Sequence, residues 1–229
     1  MWVFPGLQCG VEFPRKGPQD TRIEIHELIH MSNKIILASG SEIRATLLRN
    51  AGLEFDIAVA RVDEDMLRRA LEAEGAPPRD VADALAEAKA GKVAMKNPDR
   101  LVIGCDQVLE FEGRVFSKPT DIDEARRQLM SLRGNRHQLL SALVVFHENQ
   151  PVWRHVGVVR LQMRDFSNAY LDEYLDRNWD SIRWSVGGYK LEEEGVRLFH
   201  RVDGDYFNVL GLPLIELLNY LTTRGDLKT

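Results

Sequence analysis

The sequence predicts an α/β fold with a mixed, twisted sheet flanked by helices. Three observations point to it. From Lys34 onward, short apolar β-rich runs alternate with segments of helical period; a central pair of apolar runs is joined by the hairpin-like connection Asn149-Gln150-Pro151; and 44% hydrophobic residues in a chain of 229 suffice for one sizeable core. Strand-helix alternation builds parallel pairs and the hairpin adds antiparallel ones, so the sheet should be mixed.

Each element has its own signal. Residues 1–33 carry Pro5, Gly6, Gly10, Pro14, Gly17 and Pro18 with no sustained period and read as a loosely ordered extension, with Met31 as a candidate alternative start. A single domain is then expected over 34–226. "KIILAS" (34–39) reads as a strand, "SEIRATLLRNAG" (41–52) as a helix closed by Gly52, and "EFDIAVARV" (54–62) as a second strand. The spacing predicts a long helix over 79–97, N-capped by Asp80, with Val81, Leu85 and Ala88 on one face. "RLVIGCDQVLEF" (100–111) is a buried strand ahead of the turn Glu112-Gly113, and residues 121–134 are a helix ending at Gly134. The runs 137–148 and 152–163 form the hairpin. A helix over 168–178, a loop and strand region to about 210 and a helix over 213–225 with Pro213 at its start complete the chain.

Composition narrows the function. A formal charge of −5 gives no broad attraction for nucleic acid or anionic membrane, so neither is expected as a partner and any phosphate must be bound locally. Cys9 and Cys105 are too few for a disulfide framework, and Cys105 lies in an apolar run, which suits a reducing cytoplasm. No run reaches the roughly 18–20 apolar residues of a membrane span, and the first 30 residues show no clean apolar signal region.

One motif invites a different reading. "IHELIH" (25–30) fits the H-E-x-x-H pattern of a zinc peptidase, in which His26 and His30 would ligate the metal and Glu27 would deprotonate its water. The apolar β-rich run that begins at Ile35 leaves little room for that helix to continue. His137, His147, His155 and His200 supply no second ligand pattern. A chance match in the extension is the simpler explanation.

The richer constellation follows the first strand. Ser39-Gly40-Ser41-Glu42-Ile43-Arg44 sits where a strand ends and a helix begins, so backbone N–H groups, two hydroxyls and a guanidinium converge on one spot. Such a junction can cradle a phosphate, although a serine there often does no more than cap the helix. Asp106 interrupts the apolar run "LVIGC-DQVL", and a carboxylate in a buried strand is costly without compensation. Lys89, Lys118 and the acidic stretch Asp63-Glu64-Asp65 would each pass for solvated surface if taken singly.

Six motifs occur in order: "IILASGSEIRATLL" (35–48), "VDE" (62–64), "AEAKA" (86–90), "VIGCDQVLEFEGRVFSKP" (102–119), "SLRGNRHQ" (131–138) and "VLGLPLIELL" (209–218). Together they resemble the Maf family, the septum-formation-inhibitor-like nucleoside triphosphate pyrophosphatases. The resemblance runs from about Lys34 to the C-terminal helix. It implies one Maf/ITPase-like α/β domain, with two lobes around a central cleft, that hydrolyses a nucleoside triphosphate to monophosphate and pyrophosphate with a divalent cation, Mg or Mn. Position by position, it implies that Ser39, Ser41, Arg44, Lys89 and Lys118 bind the substrate phosphates, that Asp106 is the general base, and that Glu64 and Asp106 hold the metal. A homodimer is compatible with it, though the sequence shows no interface pattern.

The chain departs from the family in one place and leans to one branch in others. Many members carry two adjacent arginines in the first loop, whereas Arg44 is followed by Ala45. The pair Asp106-Gln107, and Glu192 within "GGYKLEEEGVRLF", resemble the branch acting on 7-methylguanosine triphosphate. Gln107 and Glu192 are then expected to set specificity, with Ile43 standing where that branch often has an aromatic ring. A dTTP/UTP pyrophosphatase is the alternative within the family. An alternative of another class is a nucleotide-binding regulator of cell division without turnover, which would not require both Glu64 and Asp106.

Overall fold

In the computed structural model, which describes residues 35–228, the longest apolar runs become three adjacent strands. β3 (Leu101–Phe111), β5 (Arg136–His147) and β6 (Gln150–Met163) pair antiparallel in the middle of the sheet. β1 (Ile35–Leu37) and β2 (Asp56–Ile57) extend it in parallel on one side, and β7 (Phe199–Asp203) closes the other. The order is β2-β1-β3-β5-β6-β7, with β4 (Arg114–Phe116) hairpinned onto the end of β3. The expected mixed sheet flanked by helices is thus what the chain forms. Cys9, the "IHELIH" stretch and Met31 lie outside the described residues. Among the described residues no helix is long and apolar enough to cross a membrane.

The helices are α1 (Glu42–Asn50), α2 (Glu64–Ala73), α3 (Pro78–Ala94), α4 (Ile122–Leu132), α5 (Asn168–Ile182), α6 (Tyr206–Val209) and α7 (Leu214–Arg224). Several differ from the sequence expectation for identifiable reasons. The second strand shrinks from 54–62 to two residues because β1, its one neighbour, is only three residues long, so pairing ends soon after Ala58 bonds to Leu37. The acidic stretch 63–65 is a helix start and no loop: the Asp63 side chain caps α2 by accepting from the Met66 N–H at 3.0 Å. Asp80 does not cap α3, which begins two residues earlier with Pro78 in its first turn and Pro77 at the cap position. Both hairpins turn on two residues of positive φ, Glu112-Gly113 and Glu148-Asn149, the geometry that matches strand twist; β6 therefore starts at Gln150, inside the expected connection.

Side-chain alternation along β3 gives the sheet two different faces. Val102 and Val108 face α3 together with Leu140, Ala142 and Val144 of β5, and the helix buries Val81, Ala82, Leu85, Ala86, Ala90 and Val93 against them. On the opposite face the apolar packing falls into two clusters. Ile103, Cys105, Leu143 and Val145 pack with Leu47 and Leu48 of α1 and Leu217 and Leu221 of α7. Leu109, Leu139, Val159 and Leu161 pack with Leu129 and Leu132 of α4 and Leu171 and Leu175 of α5. Between them runs a row without a large apolar side chain, in which Gln107 pairs with Ser141 and Ser141 with Gly157.

Candidate active site

The site is built on the junction after β1. β1 ends at Leu37 and α1 begins at Glu42, so the intervening loop is short and leaves the first N–H groups of α1 without helical partners. Ser41 occupies the cap position, yet its side chain makes no capping bond. Its hydroxyl is not spent on the helix. Ser39 is buried, and its Oγ accepts from the Ser41 N–H at 3.2 Å. Arg44 crosses from α1 to the sheet: its Nε donates to the Gly211 carbonyl at 2.8 Å, and one terminal nitrogen donates to the Cys105 carbonyl at 3.0 Å and to Ser39 Oγ at 3.3 Å. Among the described residues no carboxylate forms an ion pair with Arg44. Its charge is held by neutral oxygens, an arrangement suited to an arriving anion.

The acids meet on the other side of β3. Asp106 and Lys89 are both buried, at 7% and 8% exposure, and Lys89 Nζ lies 2.5 Å from Asp106 Oδ1. The same ammonium lies 2.9 Å from Glu64 Oε2, so one cation joins β3, α2 and α3. Backbone packing makes this reach feasible. Gly104, two residues before Asp106 on the same face, lies so close to α3 that a Cβ there would sit 2.2 Å from the Ala86 carbonyl oxygen and 2.7 Å from Ala90 Cβ. Ala86 and Ala90 flank Lys89 on the helix. The buried positions of α3 run Val81, Leu85, Lys89, Val93, one turn apart, with Ala88 only half-buried; that row is the signal that would have separated Lys89 from a surface lysine.

Burial pushes the Asp106 carboxyl above the usual carboxylate range, while Lys89 and then Arg44 oppose the shift. Cys105, beside it but facing the other way, is pushed up to about 11 by burial and stays a neutral thiol.

Other expected site residues sit differently. Lys118 is exposed in the segment after β4, with no bond to the Asp106 cluster. Ile43 is half-buried and packs on the cluster of α1 and α7, so part of its surface belongs to the core. Gln107 was expected to read a base, but its amide nitrogen is already committed to Ser141 Oγ at 3.0 Å and to the Asn208 and Val209 carbonyls at 3.0 and 3.1 Å. Glu192 is exposed. Its neighbours are engaged: Glu193 holds Ser181 and Lys190, and Glu194 holds Arg177, Asn178 and Arg197. Glu192 alone of that run has no partner among the described residues.

Glu64 and Asp106 form an all-oxygen pair facing one cation. That chemistry fits a hard divalent ion such as Mg or Mn, which binds through one or two carboxylates and completes its shell with phosphate and water. Among the described residues no group of three or more His, Cys, Asp or Glu could hold a metal unaided. Sequence reasoning had passed over Ser141, Gly157, Asn208 and Gly211. Ser141 and Gly157 do interrupt apolar runs, as Asp106 does, and that interruption was the available signal.

Comparison with known proteins identifies the family. The family profile described as Maf-like protein matches residues 34–224. A protein of Ruegeria sp. (strain TM1040) named nucleoside triphosphate pyrophosphatase is 63% identical over 195 residues, 85% of this chain and 98% of its own length. One of the same name from Roseobacter denitrificans is 61% identical over 197 residues, 86% of this chain and 99% of its own. A protein of Brucella abortus named 7-methyl-GTP pyrophosphatase is 46% identical over 188 residues, 82% of this chain and 94% of its own.

Proposed function

The chain belongs to the Maf-like protein family, and from that premise we propose that it is a nucleoside triphosphate pyrophosphatase, splitting its substrate into the monophosphate and pyrophosphate. The observation that carries this reading is the ammonium shared between Glu64 and Asp106, close to the loop that brings Arg44 to β3. A protein that only bound nucleotide would need cations for the phosphates, but burying Asp106 would cost it stability for no return.

The roles follow from the chemistry of the bond broken. Water attacks the α-phosphorus while the bond to the departing pyrophosphate opens, so the site must accept a proton from the water and spread negative charge on the leaving group. Asp106 takes the proton; a carboxylate raised by burial is a stronger base than an exposed one. Arg44, Lys89 and Lys118 clamp the triphosphate, with the Ser39 and Ser41 hydroxyls and the first N–H groups of α1 aligning it. Glu64 and Asp106 would hold a divalent cation, which would supply further neutralisation of the pyrophosphate.

Within that class the favoured substrate is 7-methylguanosine triphosphate. Two things support it: the name of the Brucella relative, and Glu192, exposed and without a partner among the described residues, whose carboxylate suits the N–H donors of a guanine edge. The test is a Mg²⁺-dependent assay on standard and modified nucleoside triphosphates that resolves pyrophosphate from single phosphate. Pyrophosphate released fastest from 7-methylguanosine triphosphate is the expected result. A preference for dTTP or UTP would overturn the base assignment alone, and no release from any nucleotide would overturn the enzyme.

A further inference from the structure

We infer that Gln107 is a positioning residue for Arg44, acting through the turn that follows α6, and that it does not read the nucleobase. The inference rests on the pyrophosphatase reading for its kinetic consequences. Its geometry stands apart from that reading.

The chain of contacts is short. The Asn208 carbonyl accepts three donors: Gln107 Nε2 at 3.0 Å, Ser141 Oγ at 2.7 Å and the Gly211 N–H at 3.1 Å. Gly211 then presents its own carbonyl to Arg44 Nε at 2.8 Å. One residue thus separates the hub that Gln107 holds from the oxygen that orients the guanidinium. The orientation of the Gln107 amide is fixed by its surroundings, since two of its partners are carbonyls and only the nitrogen can donate to them.

The sheet below is shaped to receive this turn. Gln107, Ser141 and Gly157 lie in register across β3, β5 and β6, and a Cβ at Gly157 would fall 1.7 Å from Asn208 Oδ1. Asn208 therefore seats directly on the strand, buried, with its backbone N–H capped by Asp205 at 3.0 Å and its side-chain amide also donating to Asp205. Gly211 has φ +83° and packs under Arg44, where a Cβ would be 3.0 Å from the guanidinium. Gln107, Ser141 and Asn208, the last anchored by Asp205, hold the turn that orients Arg44, and the polar row lies in the seam between the two apolar clusters of that face.

A base-reading Gln107 and a positioning Gln107 differ in what they spare. Gln107→Leu removes the donor at similar volume, and positioning predicts that kcat/KM falls about tenfold for each of GTP, 7-methylguanosine triphosphate, dTTP and UTP, the ratios among them holding within about twofold. Combined with Arg44→Ala, the loss should be far less than the product of the two single losses. An activity-independent arm uses ¹⁵N NMR of the Arg44 Nε–H, which should exchange slowly in the parent and faster in Gln107→Leu. Ser141→Ala, which removes one donor to the same carbonyl, should show the same pattern more weakly and serves if Gln107→Leu does not fold. Loss confined to one nucleotide, or an unchanged Arg44 N–H, would overturn the inference. If the parent released no pyrophosphate at all, the enzyme reading would fall while the NMR arm still decided this one.

Discussion

Asp106 and Gln107 are neighbours in one strand, yet the faces they serve have opposite electrostatics. The Asp106 row continues across the sheet into Ala142 and Val156, so its carboxylate depends on Lys89 and Arg44 for compensation. The Gln107 row continues into Ser141 and Gly157, and none of its own three residues is charged. His137, further along β5 on that second face, follows the same rule: it is 2% exposed, its Nε2 meets the Tyr189 hydroxyl at 2.8 Å, and burial holds its pKa down to about 4. The lesson is that a two-residue motif read along the chain as one unit is divided by the strand's period into two jobs. Chemistry requires a charged group at the site, whereas framing can be done by neutral groups that hold the backbone.

The largest effect should come from the charged face. Asp106→Asn keeps the shape of the side chain but removes the base, and pyrophosphate release should fall by about 10³-fold, within the range typical of a lost general base. The thermal midpoint should hold, because a carboxyl whose pKa is raised by burial disfavours the folded state when ionised, and its loss removes that cost. In the metal-free parent the Asp106 carboxyl should titrate above the usual carboxylate range, as its ¹³C chemical shift would show. A fold that collapsed in the Asn variant would show that the charged face is structural after all, and the contrast with Gln107 would dissolve.

Next comes a pH effect from the neutral face. His137 has a folded pKa of about 4, below the ordinary value of about 6.5, so between those pH values the unfolded chain binds more protons than the folded one. Stability is therefore complete above about pH 6.5 and is lost as pH falls toward about 4, by up to about 3 kcal/mol. His137→Gln keeps a polar partner for Tyr189 but cannot titrate. Urea unfolding at pH 7, 5.5 and 4 should show a flatter dependence in the variant than in the parent. Glu194, held down to about 2 chiefly by its hydrogen bond to Arg177, begins to lose its contribution as pH falls below about 4.5, so it affects the pH 4 point of parent and variant alike and cancels in their difference.

The same division explains what was legible in the sequence. The apolar runs that became β1, β3 and β5 could be read from the sequence because burial on both faces demands such runs, and β6 from the apolar residues of its second half. Helix α2 could not, since it buries no residue completely and only half-buries Leu67 and Leu71 against the core. Asp106 stood out as a carboxylate in an apolar run, and the six ordered motifs supplied Glu64 and Lys89 through family resemblance. The Gln107 row stayed hidden because its meaning lies in cross-strand register: Ser141 and Gly157 look like isolated interruptions until β3, β5 and β6 are paired.

Two glycines give the finest cut between the faces. Gly104 and Gly157 each lie where a Cβ would overlap a neighbour, the first against the Ala86 carbonyl of α3 and the second against the Asn208 side chain. Alanine at either should destabilise by about 1–3 kcal/mol, the usual cost of overpacking. Their kinetic signatures should diverge. Gly104→Ala pushes back the helix that carries Lys89, so Lys89 loses its reach to Asp106 and the acid limb of the rate profile should move, Asp106 losing the cation that opposes its burial. Gly157→Ala lifts the turn that orients Arg44, so kcat/KM should fall for every nucleotide while the acid limb stays where it was. Identical pH profiles in the two variants would mean that the faces communicate through the strand itself, since a Cβ on either side would then reach the same group.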